Sequence, residues 1–390
     1  MVGTLNIPYG RQHITEDDIQ AVVDVLKSDM LTQGPVVPRF EREVSNYTGA
    51  EYAVAVNSGT SALHLACLAL ELTQGDWLWT TPISFVASAN CGLYCGADID
   101  FVDIDPLTWN ISVSKLEEKL IIAKKENRLP KVIVVVHLCG LSCDMEAIAA
   151  LSAKYEFKII EDASHAIGGK YKDTVIGKSK YSDITIFSFH PVKTITTGEG
   201  GMALTNSKIL ADRMKLLRSH GITRDVNEMT HQSDGAWYYQ QISLGYNYRL
   251  TDIQAALGIS QLNKLDYFVE QRNKIGKRYD ELLNSLPLQI QTRPIECYSG
   301  MHLYVIRIET DKVIKPHKQI FEEMRKAGIG VNLHYIPIHL QPYYQRMGFN
   351  KGEFTESEKY YEQAITLPLF PDLKEIEVNT IVNTLAHILH

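Results

Sequence analysis

The chain has 390 residues, with 39 lysines and arginines against 46 aspartates and glutamates, a formal charge of −7. With 45% hydrophobic and 22% charged residues it can bury a large core, and its acidic balance gives no electrostatic footprint for nucleic acid or an anionic membrane. No apolar run approaches the ~18 residues of a membrane span, and the opening MVGTLNIPYGRQHIT lacks a basic-then-apolar leader pattern, so a cytoplasmic protein is expected.

Six cysteines (Cys67, Cys91, Cys95, Cys139, Cys143 and Cys297) are too sparse for a disulfide framework. The pairs Cys91 with Cys95 and Cys139 with Cys143 mimic metal spacing, but their apolar, glycine-containing contexts read as free thiols, and no metal is expected.

In chain order, an amphipathic helix starts at Thr15, with Ile19, Val22, Val23 and Leu26 on one face, and stops before Gly34-Pro35. β-rich runs and helical patterns then alternate: YAVAVN (52–57), a helix from Thr60 to Leu72, WLWTTP (77–82), a helix from Phe85, IDFVDID (99–105) and a helix over 112–125. KVIVVVH (131–137), a helix at 144–156, FKIIED (157–162), SDITIFSF (182–189) and MALTN (202–206) follow. Strands apolar on both faces and separated by helices predict an α/β fold with a largely parallel, doubly covered sheet. Helical periodicity over 207–217 and 251–286 leads to a strand (302–309), a helix (316–327), a strand (330–337) and a closing helix (374–389). The expected organisation is an N-terminal arm and helix (1–35), a large domain (36–250), a linking helix (251–286) and a small α+β domain (287–390).

Ligands on such sheets bind at the carboxyl ends of the strands, so polar residues there are the candidates. Asn57-Ser58-Gly59-Thr60-Ser61 turns a strand into a helix, where free amides and the positive dipole end suit a phosphate; a plain helix cap is the other reading. Glu161-Asp162-Ala163-Ser164-His165 follows a buried run, and a carboxylate there needs a cationic partner. Lys193 sits just past SDITIFSF in a turn with apolar walls that ends in Gly198, Gly200 and Gly201; low polarity there frees an amine for Schiff-base formation. A lysine, a carboxylate and a phosphate cradle are the parts pyridoxal 5′-phosphate requires. The competing assembly is a hydrolytic metal site from His137, Asp162, His165 and His190, which leaves Lys193 unexplained.

GTSAL (59–63), EDASHAIG (161–168), FSFHPVKTITTGEGG (187–201) and GYNYRLTDIQAALG (245–258), in this order, resemble the DegT/DnrJ/EryC1/StrS sugar aminotransferase family across nearly the whole chain. The resemblance implies a fold type I, aspartate-aminotransferase-like transferase whose large domain carries a mostly parallel seven-stranded sheet. It further implies a homodimer with pyridoxal 5′-phosphate at a shared active site. By matching positions, Lys193 is the Schiff-base lysine, Asp162 partners the pyridine nitrogen and His165 lies beside the ring hydroxyl. Gly59, Thr60, Ser61 and Ser188 correspond to the phosphate site, and Gly59 and Ser188 also border substrate. Phe85 matches the aromatic stacked on the ring, with a core phenylalanine as the alternative, and Asn247 reaches the neighbouring subunit's phosphate and substrate.

Tyr9, the segment Asp29-Met30-Leu31-Thr32 and the segment Asn332-Leu333-His334-Tyr335 match regions bordering a sugar nucleotide. Arg224 is either a diphosphate partner or a surface arginine. Dehydrating relatives replace the lysine by histidine; this chain keeps it, so transamination is implied. SDMLTQGP (28–35) narrows the resemblance to members that use L-glutamate to aminate C4 of a UDP-linked 4-keto-6-deoxy-N-acetylhexosamine toward pseudaminic acid and flagellin glycosylation. Another nucleotide keto sugar, of the bacillosamine, perosamine or 3-keto type, is the alternative within the class, and a non-catalytic sugar-nucleotide or cofactor-binding regulator is the one outside it.

Overall fold

The computed structural model describes residues 6–390. Helix α1 (Glu16–Leu26) leads to α2 (Val36–Thr48), and the alternating part then runs β1 (Tyr52–Val56), α3 (Gly59–Ala69), β2 (Trp77–Thr80), α4 (Ala87–Tyr94), β3 (Asp98–Phe101) and α5 (Val113–Lys125). It continues through β4 (Val132–Val136), α6 (Met145–Tyr155), β5 (Lys158–Asp162), β6 (Ile184–Ser188), β7 (Gly201–Thr205) and α7 (Lys208–Leu217). These seven strands form one sheet in the order β1-β7-β6-β5-β4-β2-β3. Strand β7 alone is antiparallel to its neighbours, because it returns directly from β6 through the Lys193 turn without a crossover helix. Strands β4, β6 and β7 are buried along nearly their whole length, with helices covering both faces, which is why their sequences read as continuous apolar runs.

The helical stretch over 251–286 is two helices, α8 (Asp252–Leu262) and α9 (Leu265–Leu283), interrupted at Asn263-Lys264. A second sheet of three antiparallel strands, β8 (Leu288–Ile290), β9 (Tyr304–Ile308) and β10 (Ala364–Leu367), is covered by α10 (His317–Lys326) and α12 (Glu375–Leu389), with α11 (Thr355–Gln363) leading into β10. The strand expected at 330–337 does not form. That segment keeps one bridge, Asn332 to Thr366, and then turns into the space between the two sheets, where its side chains line the cavity described below. The edge of the small sheet is supplied instead by β10, whose short ITL run after a helix carries little periodic signal.

Helix α1 forms as expected, but it is turned. Asp18 and Val25 are buried, while Ile19 (48% exposed) and Leu26 (54% exposed) face outward. The cause is polar: the Asp18 carboxylate accepts from the Thr15 amide (2.9 Å), from Gln261 Nε2 (2.9 Å) and from Lys264 Nζ (2.8 Å), which fixes α1 against the α8–α9 junction. Asp252 does the same for the next segment. Fully buried, it accepts from the amides of Gly34 (2.7 Å) and Val37 (2.9 Å), capping α2 from another helix. Ile7 packs into the core of the small sheet, its amide bonded to Gly328 and its carbonyl to Gly330.

Candidate active site

The carboxyl ends of β1, β4, β5 and β6 open into one cavity of about 750 Å³. Its wall includes Gly59, Thr60, Ser61, Phe85, Asp162, His165, Ser188, Lys193, His334 and Tyr335, so most of the sequence candidates converge there. On β5, alternation sends two adjacent carboxylates to opposite faces. Glu161 turns away from the cavity to pair with His137 Nε2 (2.8 Å) and to accept from Thr185 Oγ1 (3.1 Å) and Ser182. Asp162 turns into it. Its Oδ2 accepts from Ser88 Oγ (2.6 Å), itself 2.7 Å from Ser84 Oγ, and its Oδ1 accepts from Ser164 Oγ (2.6 Å) and the Ser164 amide (3.2 Å). These donors compensate a 6% exposed carboxylate for leaving water. The sequence reading asked for a cationic partner; hydroxyls supply the contacts, and Lys193 supplies the nearby charge.

Lys193 lies in a loop closed on itself. The Phe189 amide donates to the Gly200 carbonyl (2.9 Å), the Thr197 amide to the Phe189 carbonyl (3.0 Å) and the Lys193 amide to the His190 carbonyl (2.9 Å). Thr194 to Thr197 are buried beneath it, so the ammonium faces the cavity. Desolvation lowers its pKa to about 8, with the Asp162 charge opposing the shift. Roughly a tenth is therefore free amine at pH 7, far more than for a lysine at its ordinary value.

His165 is 5% exposed, and burial, helped by the charges of Lys193 and His334, holds it neutral well below the usual imidazole range. Its Nε2 is hydrogen-bonded to the Tyr335 hydroxyl at 3.1 Å, and its Nδ1 has no partner among the described residues. The ring also packs 4.5 Å from that of His302. Ser88 and His302 escaped the sequence reading, since a lone serine or a histidine in a β-rich run carries no local pattern, and Ser84 and Ser164 were given no role of their own. Glu199 and Gln254 also reach the cavity wall unforeseen.

At the start of α3, Ser58 is the cap, accepting from the Ser61 amide (3.0 Å), while Ser61 Oγ donates to Asn57 Oδ1 (2.7 Å). The Ser61 hydroxyl is thus spent inside the turn. A Cβ on Gly59 would stand 3.0 Å from Ser188 Cβ, and one on Gly201 only 2.4 Å from the Ser58 carbonyl, so two strands and the helix start meet here at glycine distance. Phe85 is 58% exposed and lines the cavity, so it is no core residue.

The remaining candidates lie outside the wall. Tyr9 stands 5.6 Å from the His334 ring, and Asn332 and Leu333 precede His334 on the same segment. Residues 29–32 are exposed and held by a bridge from Thr32 to Thr251. Arg224 and Asn247 are exposed on and beyond a hairpin over 222–241; Asn247 is bridged to Ser219 and neither enters this chain's cavity. The alternative metal set is not assembled: His137 is committed to Glu161 and Asp162 to serines, and no three His, Cys, Asp or Glu side chains among the described residues are placed to share an ion.

Comparison with known proteins matches residues 12–386 to the DegT/DnrJ/EryC1/StrS aminotransferase family. The spore coat polysaccharide biosynthesis protein SpsC of Bacillus subtilis is 36% identical over 388 residues, covering 98% of this chain and 97% of that protein. The UDP-4-amino-4,6-dideoxy-N-acetyl-beta-L-altrosamine transaminase of Campylobacter jejuni is 37% identical over 385 residues, with the same coverage. Among solved structures, Helicobacter pylori PseC, an aminotransferase of pseudoaminic acid biosynthesis, superposes with TM-score 0.89 at 32% identity, over 98% of this chain and 99% of that one. A putative sugar aminotransferase of Streptococcus pneumoniae in its PLP form gives TM-score 0.89 at 31% identity over 98% of each chain.

The residues present fit that cofactor on the chain's own geometry. The glycine-lined start of α3 leaves room that a Cβ would fill, a hydrogen-bonded carboxylate and a partly deprotonated lysine face one another, and His165 Nδ1 is buried without a partner among the described residues. The chain belongs to the DegT/DnrJ/EryC1/StrS aminotransferase family, and it is a sugar aminotransferase that works with pyridoxal 5′-phosphate.

Proposed function

We propose that the protein transfers the amino group of L-glutamate to C4 of UDP-2-acetamido-2,6-dideoxy-β-L-arabino-hex-4-ulose, a step toward pseudaminic acid. The observation that carries this reading is full-length similarity to a named altrosamine transaminase together with a lysine, not a histidine, at position 193. SpsC is nearly as similar, which keeps another nucleotide keto sugar as the second reading.

Pyridoxal phosphate supplies an electrophilic carbon and a ring that accepts the electrons of a carbanion. Lys193 Nζ would hold the cofactor and, once displaced by the donor amine, move a proton to and from the donor's α-carbon and the keto sugar's C4. Asp162 would hold the proton on the ring nitrogen, with Ser88 and Ser164 fixing the carboxylate. Phe85 would cover the ring face, and the amides of Gly59 and Thr60 with the Ser188 hydroxyl would bind phosphate at the helix start, the Ser61 amide being taken by Ser58. Tyr9, residues 29–32 and residues 332–335 would enclose the sugar nucleotide.

Among the described residues, this chain's cavity wall contains no arginine, although the donor's carboxylates, the cofactor phosphate and the UDP diphosphate all need countercharge. Exposed Arg224 and Asn247, with exposed apolar side chains at Ile19, Leu26, Trp237 (75%) and Leu244 (79%), support a homodimer in which these residues serve the partner's cavity.

The test supplies the UDP keto sugar and L-glutamate to wild type and Lys193→Ala and identifies the product by NMR. A new equatorial or axial amine at C4, absent with the variant, supports the reading. Amination only of a 3-keto or differently configured sugar moves the second reading forward, and turnover that survives Lys193→Ala overturns both. Mixing Lys193→Ala with Asn247→Ala subunits should restore activity that neither has alone, because one cavity in the mixed dimer would then be complete.

A further inference from the structure

The cavity floor is backed by a residue from the small-domain side. His302, buried just before β9, packs its ring 4.5 Å from that of His165, and its amide donates to the Cys139 carbonyl (2.9 Å). Its own carbonyl is held by Arg272, on α9. This arginine is 1% exposed and has no carboxylate partner among the described residues; it spends Nη1 on two carbonyls, those of His302 (3.2 Å) and Leu369 (3.0 Å). Its Nε is buried without a partner among the described residues. Burial lowers the guanidinium only to about 10, so it stays a cation at neutral pH, compensated by carbonyl dipoles.

Leu369 carries the contact further. It follows β10, and its amide donates to the Tyr9 carbonyl (3.0 Å), while the Tyr9 ring stands 5.6 Å from that of His334 in the cavity wall. Further along α9, buried Tyr279 donates to the Pro368 carbonyl (3.0 Å), so one helix holds this turn through two side chains. Arg272 thus stands between the His302–His165 pair and the N-terminal arm.

We propose that Arg272, which does not line the cavity, is a positioning residue for two parts of the site at once: through the His302 carbonyl it sets the imidazole packed on His165, and through the Leu369 peptide it sets the arm that carries Tyr9. The inference rests on the proposed places of His165 beside the cofactor and Tyr9 beside the sugar nucleotide. The two N–H bonds of Nη1 leave a planar group in fixed directions, so the two carbonyls cannot shift independently while both contacts hold. Packing alone does not call for a charge here, because an apolar side chain of similar length fills the space without the cost of desolvation.

In holoenzyme, Arg272→Met should slow the glutamate half-reaction about tenfold and raise KM for the UDP sugar about tenfold, as both parts drift from their productive geometry. Loss of only one overturns the proposal. Each loss should run through its own residue: in a His165→Ala background Arg272→Met should slow the half-reaction no further, and in a Tyr9→Ala background it should raise KM no further. Additive double variants overturn the role of Arg272 and leave those of His165 and Tyr9 standing. Wild-type kinetics in His165→Ala and Tyr9→Ala alone would remove those two roles, and the proposal with them. Arg272→Lys keeps a charged donor without the planar fork and should recover part of both losses; recovery of neither overturns the proposal. Amide hydrogen exchange of the apoenzyme gives a reading without turnover. The Leu369 amide should exchange about tenfold faster in Arg272→Met while the amides of α9 keep their rates, and an unchanged Leu369 amide overturns the proposal. If the methionine variant does not fold, the lysine variant carries the same kinetic and exchange measurements, with smaller shifts of the same sign.

Discussion

The floor of the cavity and its rim are built differently. On the floor, Asp162, Ser88, Ser164, His165 and Lys193 are fixed by contacts made wholly within one chain, at the ends of buried parallel strands. On the rim, residues 29–32, Arg224 and Asn247 are exposed and meet none of the cavity. The difference teaches that the floor is prepared inside one chain, whereas under the proposed dimer the rim groups would recognise a large anionic substrate across a second surface. Substitutions on the floor should therefore damage the cofactor half-reaction, and substitutions on the rim should damage substrate affinity.

The largest effect tests the floor. Lys193→Ala should lower turnover by about 10⁴-fold or more, since both the covalent anchor and the proton carrier are lost. In stopped-flow absorbance, the bound cofactor's visible band should no longer respond to L-glutamate. A variant that keeps a tenth of wild-type turnover would remove lysine from the chemistry.

Asp162→Asn comes next, at roughly 10²–10³-fold in kcat, the scale of losing one preorganised electrostatic partner. It carries a sign that a merely structural change would not. The Asp162 charge raises Lys193 while desolvation lowers it to about 8, so removing that charge should move the lysine midpoint further below 8. The rate at which apoenzyme recaptures pyridoxal phosphate should rise with pH through that midpoint and plateau above it, shifting to lower pH in the variant. In the apoenzyme this group binds fewer protons than in the unfolded chain from about pH 8 up to its ordinary value, so it lets stability rise with pH across that window.

Much of the floor was legible in the sequence because its parts lie where strands end. Asp162 and His165 follow an apolar run, Lys193 follows another, and Gly59 opens a helix. The phosphate cradle was legible only in outline: glycines and hydroxyls could be counted, but not that Ser58 would take the cap and spend the Ser61 hydroxyl on Asn57. Support from Ser84, Ser88 and His302 joins residues far apart in the chain, and no local pattern encodes such a pairing. Helix α1 shows the same limit. Its apolar stripe promised the buried face, but Asp18, tied to Gln261 and Lys264, decided the rotation and left Ile19 and Leu26 outward.

Intermediate effects test how tightly the cradle is packed. Gly59→Ala places a methyl 3.0 Å from Ser188 Cβ, which a small shift of that side chain can relieve; cofactor affinity should fall about tenfold with the fold intact. Gly201→Ala meets the Ser58 carbonyl at 2.4 Å, and backbone cannot step aside so cheaply. It should cost about 1–3 kcal/mol of stability, measurable by urea denaturation, as well as cofactor. Equal stability losses in the two variants would mean that the helix start approaches β7 no more closely than β6.

Arg224→Ala gives the rim its own measurement. A charge that meets diphosphate from a neighbouring subunit should raise KM for the UDP sugar about tenfold and leave the glutamate half-reaction, read by absorbance without sugar, unchanged. A loss of that half-reaction would join rim to floor.

The smallest effect belongs to Tyr335, which reaches the floor from the segment between the two sheets. Its hydroxyl is hydrogen-bonded to His165 Nε2 at 3.1 Å, and its ring stands 6.3 Å from that of Phe85. Tyr335→Phe keeps the ring and deletes only the hydroxyl. His165 is already neutral, so its Nε2 loses one hydrogen bond, worth about 0.5–1.5 kcal/mol, and no charge is stranded. Rates should fall by about threefold to tenfold, with the cofactor band nearly unmoved and KM for the sugar changed more than KM for glutamate. A drop as large as that of Asp162→Asn would mean that the segment from the small sheet is part of the floor, and that the amine chemistry depends on how the two sheets meet rather than on the strand ends alone.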